Sequence, residues 1–140
     1  MNPETAFSEI GPRLFAYLRR LGLSPDDSQD GVQEIFFRSL RSKIDWNSPK
    51  AYLFKIAYHI AIDWMRKPKY MALVEEIPTP FPYEDDFLSI LSEEEKHIVL
   101  LVYQEQLSYE EIAGITGKPI GTLKSLVSRA KKKIKEAGER

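Results

Sequence analysis

The chain has 140 residues, a net charge of −1, 43% hydrophobic and 29% charged residues, and no cysteine. This length and composition favour a soluble globular protein of one or two small domains over a disordered chain. The absence of cysteine excludes disulfides, cysteine-ligated zinc and thiol catalysis. The longest apolar runs are too short for a membrane span and no secretory signal is evident, so we expect a cytoplasmic protein with no membrane partner.

The charge is unevenly distributed along the chain. Residues 1–67 carry 10 Lys/Arg against 8 Asp/Glu, residues 68–96 carry 2 against 8, and residues 97–140 carry 8 against 5. An acidic middle therefore separates two mildly basic ends. The local field at each end matters more to an anionic partner than the near-zero total.

Apolar residues at helical spacing predict three helices in the first half of the chain. Gly22 is predicted to stop the first helix, and Ser24-Pro25 starts the second with a hydroxyl N-cap followed by proline. Ser48-Pro49 predicts the same kind of start for the third. The predicted buried faces are Phe7, Ile10, Leu14, Leu18 and Leu21 in the first helix, Val32, Ile35, Phe36 and Leu40 in the second, and Leu53, Ile56, Ala57, Ile60 and Trp64 in the third.

Residues 68–86 combine four prolines with five acidic residues and show no helical period. Such a composition is typical of an extended linker. The sequence therefore predicts a domain at residues 1–67, a linker at residues 68–86 and a second helical domain at residues 87–140.

Three short helices are predicted in the second domain. Ser92 with Glu95 and Ser108 with Glu111 each have the spacing of a capping box, and Gly117 is predicted to end the middle helix after about two turns. The last helix follows Gly117 at once. Its predicted inward face comprises Ile120, Leu123, Val127, Ala130 and Ile134.

The last two helices have the form of a helix-turn-helix, because a short glycine-containing turn joins a short helix to a longer basic one. Residues 118–135 include seven Lys/Arg and no acid. Phosphate neutralisation supplies most non-specific DNA affinity, so this segment is predicted to bind DNA. For the lysine run at residues 131–135 alone, a solvated helix end stabilised by the helix dipole is an equally good interpretation.

Several motifs resemble those of a known family. LSYEEIA at residues 107–113, GTLKS at residues 121–125 and the pair Arg129-Ala130 resemble region 4 of bacterial sigma factors of the extracytoplasmic-function group. DGVQEIFFR at residues 30–38 is similar to the polymerase-binding helix of region 2 in that group. Residues 51–63 are similar to its promoter −10 helix. The resemblance covers nearly the whole chain, in the order of the family.

The resemblance implies an all-α protein with a three-helix region 2-like domain and a region 4-like helix-turn-helix domain. Core RNA polymerase and promoter DNA are the implied partners, with an anti-sigma factor as a further one, and no cofactor is expected. The implied polymerase-binding residues are Gln33, Glu34, Phe37 and Arg38. The implied −35 contacts are Lys118, Thr122, Lys124, Ser125 and Arg129. The implied −10 contacts are Lys55, Tyr58, His59 and Arg66, with Tyr52 nearby and a base pocket in the loop at residues 43–50.

Three positions depart from the pattern of the family, and two other functions remain as alternatives. Tyr58 and His59 occupy positions where the family commonly has Arg and Asn, and Leu126 replaces a common Arg. An alternative is a sigma-like adaptor that sequesters an anti-sigma regulator without productive promoter binding. A plain two-domain regulator would leave the region 2 resemblance unexplained. We expect neither an enzyme nor a metal site, because no phosphate loop and no cluster of His and carboxylates at catalytic spacing is present.

Overall fold

The computed structural model describes residues 2–67 and 86–138, which form α-helices, turns and one π-helical turn without any β-strand in those ranges. The chain divides into two compact units, residues 1–80 and 81–140. The all-α prediction is thus confirmed. The predicted linker lies outside the described residues, apart from Asp86, which begins a helix. No helix in the described ranges is long and apolar enough to cross a membrane.

The N-terminal unit contains α1 (Pro3–Arg20), α2 (Pro25–Leu40) and α3 (Lys50–Met65). The predicted start of α2 is confirmed, since the Ser24 hydroxyl accepts the Asp27 N–H at 3.1 Å. The start of α3 differs from the prediction. Pro49 is its N-cap residue and no side chain caps it.

The core of the N-terminal unit lies where α1, α2 and α3 meet. Leu14, Leu18, Ile35, Leu53 and Phe54 are fully buried there. The predicted burial of Leu40 is wrong: it is 50% exposed, and the neighbouring Ser39 is buried instead. Ser39 tolerates burial because its hydroxyl donates to the Phe36 carbonyl at 2.7 Å.

Gly31 lies where α2 packs closely against side chains of α1 and α3. A Cβ at this position would lie 2.7 Å from Leu18 Cδ1 and 3.6 Å from the Trp64 ring. Trp64, predicted as a core residue, is half-buried and covers this point from α3. Glycine therefore permits packing that a larger residue would obstruct.

The C-terminal unit contains α4 (Asp86–Ser89), α5 (Glu93–Val99), α6 (Tyr109–Thr116) and α7 (Ile120–Gly138). A π-helical turn, Leu100–Gln104, continues α5. After this turn Gln106 takes a positive φ of 55°, and the Leu107 N–H returns to the Leu101 carbonyl at 3.1 Å. Together with the bond from the Glu105 N–H to the Leu100 carbonyl at 3.0 Å, this bond closes the end of the α5 segment before α6 begins.

Both predicted capping boxes of the C-terminal unit are confirmed. Ser92 and Glu95 exchange bonds of 2.8 and 3.2 Å at the start of α5, and Ser108 and Glu111 exchange two bonds of 3.0 Å at the start of α6. Gly117 ends α6 with a φ of 75°, as predicted. The turn of the helix-turn-helix is thereby fixed by local hydrogen bonds and one left-handed residue.

The α7 helix packs against both α5 and α6. Leu123, Val127 and Ala130 are buried as predicted, and Leu126 joins them at 3% exposure. The prediction for Ile120 is wrong, since it is 37% exposed. It is the first residue of α7 and precedes the turn that packs on the neighbouring helices.

Candidate nucleic-acid interface

The outward face of α7 follows from its buried face, because successive helical residues are rotated by about 100°. Directly opposite the buried residues is a stripe whose four members are all exposed. They are Gly121, Ser125, Ser128 and Lys132. Small side chains dominate this stripe, so the helix backbone can approach base edges in a major groove closely.

Ser128 belongs to this stripe although the sequence pattern does not single it out as a site residue. It lies three residues after Ser125 and opposite the buried Val127 and Ala130. That spacing is a sufficient signal once the buried face is known. Ser128 therefore joins the candidate set for base contacts.

The predicted −35 contacts on α7 itself all lie at the surface. Thr122, Lys124, Ser125 and Arg129 are exposed and flank or share the small-residue stripe. Lys118 is different, because it precedes α7 and its Nζ lies 2.9 Å from Glu94 Oε1. Leu126, where the family commonly has arginine, is a core residue here and takes no part in the exposed face.

One flank of α7 is held by a carboxylate from the first turn of α5. Glu95 Oε1 accepts the Lys133 ammonium at 2.7 Å, and Glu95 itself is only 3% exposed. Burial alone would raise the pKa of Glu95, but hydrogen bonds from Lys133 and Ser92 hold that pKa below its usual value. Lys133 thus forms an ion pair within the unit that joins α7 to α5.

Two tyrosines lie along the other flank of α7. Lys124 Nζ lies 5.9 Å from the centre of the Tyr109 ring, and Lys131 Nζ lies 5.6 Å from that of Tyr103. A hydrogen bond to Tyr103 raises the pKa of Lys131. Rings orient a cation without cancelling its charge, whereas a carboxylate cancels it. The two flanks of α7 therefore differ in net charge.

A cleft of about 380 Å³ opens in the N-terminal unit, between the end of α2 and the exposed face of α3. It brings together Lys55 and His59 from the predicted −10 set and Arg38 from the predicted polymerase set. None of its lining comes from residues 43–50, so the cleft lies beside the predicted base-pocket loop rather than in it. Its lining residues are Arg38, Arg41, Ser42, Tyr52, Lys55, Ile56 and His59.

The cleft combines positive charge with an apolar surface. Arg38, Arg41 and Lys55 line it without any carboxylate among the lining residues, while Ile56 and the 37%-exposed Tyr52 provide apolar area. Base stacking on an aromatic ring beside cations is the usual arrangement for unpaired nucleic acid.

The remaining predicted −10 residues do not line the cleft. Arg66 is exposed at the end of α3. Tyr58 was predicted to contact DNA, but it is only 8% exposed, and its ring lies edge-on to His59 with centroids 5.5 Å apart. That prediction is corrected: α3 packs against both α1 and α2, so its buried face is wide enough to include Tyr58. The ring supports His59 from within.

The predicted polymerase-binding residues lie along the exposed side of α2. Glu34 Oε1 accepts the Arg38 Nε–H at 2.9 Å, and Gln33 is exposed. Phe37 is 57% exposed and Leu40, three residues later, is 50% exposed. Two large apolar side chains on one exposed face indicate an interaction surface. Sequence periodicity missed Leu40 because it placed this residue in the buried stripe.

These features define a helical nucleic-acid-binding protein with two units. The profile "Sigma-70 region 2" matches residues 6–69, and "Sigma-70, region 4" matches residues 85–134. The chain belongs to the sigma-70 family of RNA polymerase sigma factors, as the resemblance to the extracytoplasmic-function group indicated. It therefore directs core RNA polymerase to promoters, and core polymerase and promoter DNA are its partners.

Named relatives agree with this assignment. The chain is 32% identical over 132 residues to RNA polymerase sigma factor SigV of Bacillus subtilis, covering 84% of this chain and 77% of that protein. It is 30% identical over 137 residues to the RNA polymerase sigma-E factor of Streptomyces coelicolor, covering 84% and 75%.

Solved structures give the same fold. The sigma factor RpoE of Bartonella quintana, in complex with the anti-sigma factor NepR, matches with a TM-score of 0.75 at 27% identity, covering 95% of this chain and 94% of that one. CnrH, in complex with the cytosolic domain of CnrY, matches with a TM-score of 0.74 at 20% identity, covering 98% and 87%.

Proposed function

We propose that the two units divide the promoter between them. In this proposal α7 reads the −35 element as duplex, and the cleft between α2 and α3 holds an unpaired base of the −10 element with its phosphate. The observation that carries the proposal is the contrast in surface shape and charge. A convex stripe of small residues suits a groove, whereas a concave cationic cleft suits a single displaced nucleotide.

Residues on α7 are assigned by their position around the helix. Ser125 and Ser128 on the central stripe approach base edges, where hydroxyl groups donate to or accept from any base. Lys124 and Arg129 lie on opposite sides of that stripe and contact phosphates or guanine edges. Thr122, one turn earlier, extends the contact toward the start of the helix, and Lys118 contacts a phosphate there after release from Glu94.

Residues of the cleft are assigned by their chemistry. The exposed Tyr52 ring is the stacking surface for an unpaired base, and Lys55 with Arg41 neutralises the adjoining phosphates. His59 completes the wall of the cleft, supported by the buried Tyr58. Arg66, at the end of the same helix, contacts the strand beyond the cleft.

Polymerase contact is assigned to the exposed side of α2. Phe37 and Leu40 supply the apolar anchor, and Gln33, Glu34 and Arg38 surround it with polar groups. Such an apolar centre with a polar rim is the usual composition of a protein interface. Arg38 belongs to both surfaces, because it also lines the cleft, and so it links polymerase contact to strand contact.

The chain supplies binding and positioning in this proposal, and the chemistry of RNA synthesis belongs to the polymerase. We place its action in the cytoplasm, with the polymerase. Because the sigma factor RpoE of Bartonella quintana, which has the same fold, is described in a complex with the anti-sigma factor NepR, we also propose an anti-sigma factor as a partner of this chain. An adaptor that only sequesters such a regulator would not require the exposed basic side chains within residues 118–135, a segment without any acid.

Run-off transcription tests the proposed function. The full chain is combined with core polymerase on a library of duplexes with random promoter regions, and transcripts are sequenced. We expect transcripts enriched for one pair of motifs at −35 and −10 spacing. Binding to core polymerase without initiation would instead support the adaptor, and absence of core binding would exclude both functions.

A further inference from the structure

We propose that Tyr103 and Lys131 form a second phosphate-binding point for duplex DNA, separate from the first turns of α7. This inference deepens the proposed function and depends on it. It assigns a binding role to a tyrosine that lies before the helix-turn-helix and to one lysine of the run at residues 131–135.

The first argument is the geometry of the pair. Lys131 Nζ lies 5.6 Å from the centre of the Tyr103 ring, and the interaction with Tyr103 raises the pKa of Lys131. Tyr103 is nonetheless 50% exposed, and Lys131 is exposed as well. The ammonium group thus lies beside the ring at the surface without being covered. A preorganised group loses less entropy when it binds a partner.

The second argument is alignment along α7. Lys124 and Lys131 are seven residues apart, which places them about 20° apart around the helix and about 10 Å apart along it. Each lies against a tyrosine, Tyr109 and Tyr103 respectively. Phosphates on one DNA strand recur about every 3.4 Å of axial rise, so two lysines at this spacing can contact different phosphates of the same strand.

The third argument is charge. On the opposite flank, Glu95 neutralises Lys133 at 2.7 Å, and just before α7 Glu94 neutralises Lys118 at 2.9 Å. Tyr103 lies against Lys131 but leaves its unit charge available to a phosphate. The tyrosine hydroxyl can itself donate to a phosphate oxygen. Within the lysine run, Lys133 therefore stabilises the fold, whereas Lys131 is available to bind DNA.

The salt dependence of binding tests this division. The full chain is titrated with a 25-base-pair duplex of random sequence, because phosphate neutralisation does not depend on sequence. For Lys131→Gln we expect the slope of log K against log salt to fall in magnitude by about 0.9, the loss of one phosphate contact. The matched control is Lys133→Gln, with the same change of charge two residues away, which should keep the wild-type slope. Circular dichroism confirms that each variant is folded.

A double-mutant cycle tests the pairing with Tyr103. Tyr103→Ala should weaken duplex binding at fixed salt, and combining it with Lys131→Gln should weaken binding by less than the product of the two single effects. Equal slopes for wild type and Lys131→Gln, or strictly multiplicative losses, would overturn the inference. If Arg129→Gln still lowers the slope in that case, the proposed duplex reading stands and only the second point fails. If the wild type itself binds no duplex, both are rejected.

Discussion

The two helical units present positive charge in opposite ways. In the N-terminal unit, Arg38, Arg41 and Lys55 surround a concave cleft that also offers an exposed Tyr52 ring. In the C-terminal unit, Lys124 and Arg129 stand on a convex helix beside a stripe of small residues. The first arrangement can enclose one displaced nucleotide, and the second can enter a groove. Shape, rather than the amount of charge, therefore distinguishes the two surfaces.

The largest expected effect on binding comes from removing the charge on α7. Lys124→Gln combined with Arg129→Gln should weaken binding to a promoter duplex about 100-fold, since each cationic contact contributes about 1–3 kcal/mol. The salt slope should fall by about 2. Fluorescence anisotropy of the full chain with labelled duplex measures both quantities.

The matched control for this prediction lies in the other unit. Arg41→Gln combined with Lys55→Gln makes the same change of charge in the cleft, and it should leave duplex binding within about twofold. The same control should weaken binding of a single-stranded oligonucleotide, which the α7 variant should not affect. If both double variants weaken both ligands equally, the distinction between the two surfaces is wrong.

Lowering the pH should reduce the stability of the C-terminal unit through a buried histidine. His97 in α5 is 5% exposed, and burial, with a smaller contribution from Lys96, lowers its pKa to about 4 from a usual value of 6.5. Between pH 6.5 and pH 4, His97 is therefore protonated in the unfolded chain but stays neutral in the folded unit. The C-terminal unit should lose about 3 kcal/mol of unfolding free energy as the pH falls through that window.

Urea denaturation followed by two signals tests the acid prediction. Trp46 and Trp64, the only tryptophans, both belong to the N-terminal unit, so their fluorescence reports on that unit while circular dichroism reports on both. Lowering the pH from 7 to 4.5 should move a circular-dichroism transition to lower urea than the fluorescence transition. His97→Gln should remove the His97-dependent part of that shift. A shift that persists undiminished in this variant would contradict the assignment to His97.

The smallest effect concerns packing in the N-terminal unit. Gly31→Ala would place a Cβ 2.7 Å from the fully buried Leu18 Cδ1. Overpacking of this kind costs about 1–3 kcal/mol. The higher helix propensity of alanine offsets about 1 kcal/mol of this loss of unfolding free energy. We expect a net loss of about 1 kcal/mol by urea denaturation followed by tryptophan fluorescence.

Gly114→Ala is the matched control for the packing prediction. Nothing lies within 4 Å of a Cβ at Gly114 in α6, so this variant should gain up to about 1 kcal/mol from helix propensity alone. Equal changes in the two variants would show that Gly31 is not a site of close packing.

Much of the fold could be predicted from sequence because its signals are local. The capping boxes at Ser92 and Ser108 and the left-handed Gly117 depend on residues within one helical turn, and the structure has all three as expected. Errors occur where packing between helices decides. Tyr58, expected at the surface, is buried, and Leu40, expected in the core, is exposed. Both errors arise because the width of a buried face depends on how many neighbouring helices pack against it.

The candidate site was only partly predictable for a related reason. The sequence indicates which lysines are near DNA, but it does not distinguish Lys133, paired with a buried carboxylate, from Lys131, beside a ring. Both lie in one run of like residues, and their partners come from α5 and from the π-helical turn after it. Likewise, the cleft unites Arg38 with Lys55 and His59 across two helices, which no single motif contains.

The most direct test of the division of the promoter compares closed and pre-opened templates. A promoter selected with the full chain and core polymerase is prepared as a duplex and as a template whose −10 strands are mismatched and unpaired. Tyr52→Ala with Lys55→Gln should reduce transcripts from the closed duplex about tenfold, because one stacked base contributes about 1–3 kcal/mol. The pre-opened template should restore most of that loss, whereas Lys124→Gln with Arg129→Gln should stay impaired on both templates. Equal impairment of the cleft variant on the two templates, or rescue of the α7 variant by pre-opening, would contradict the account.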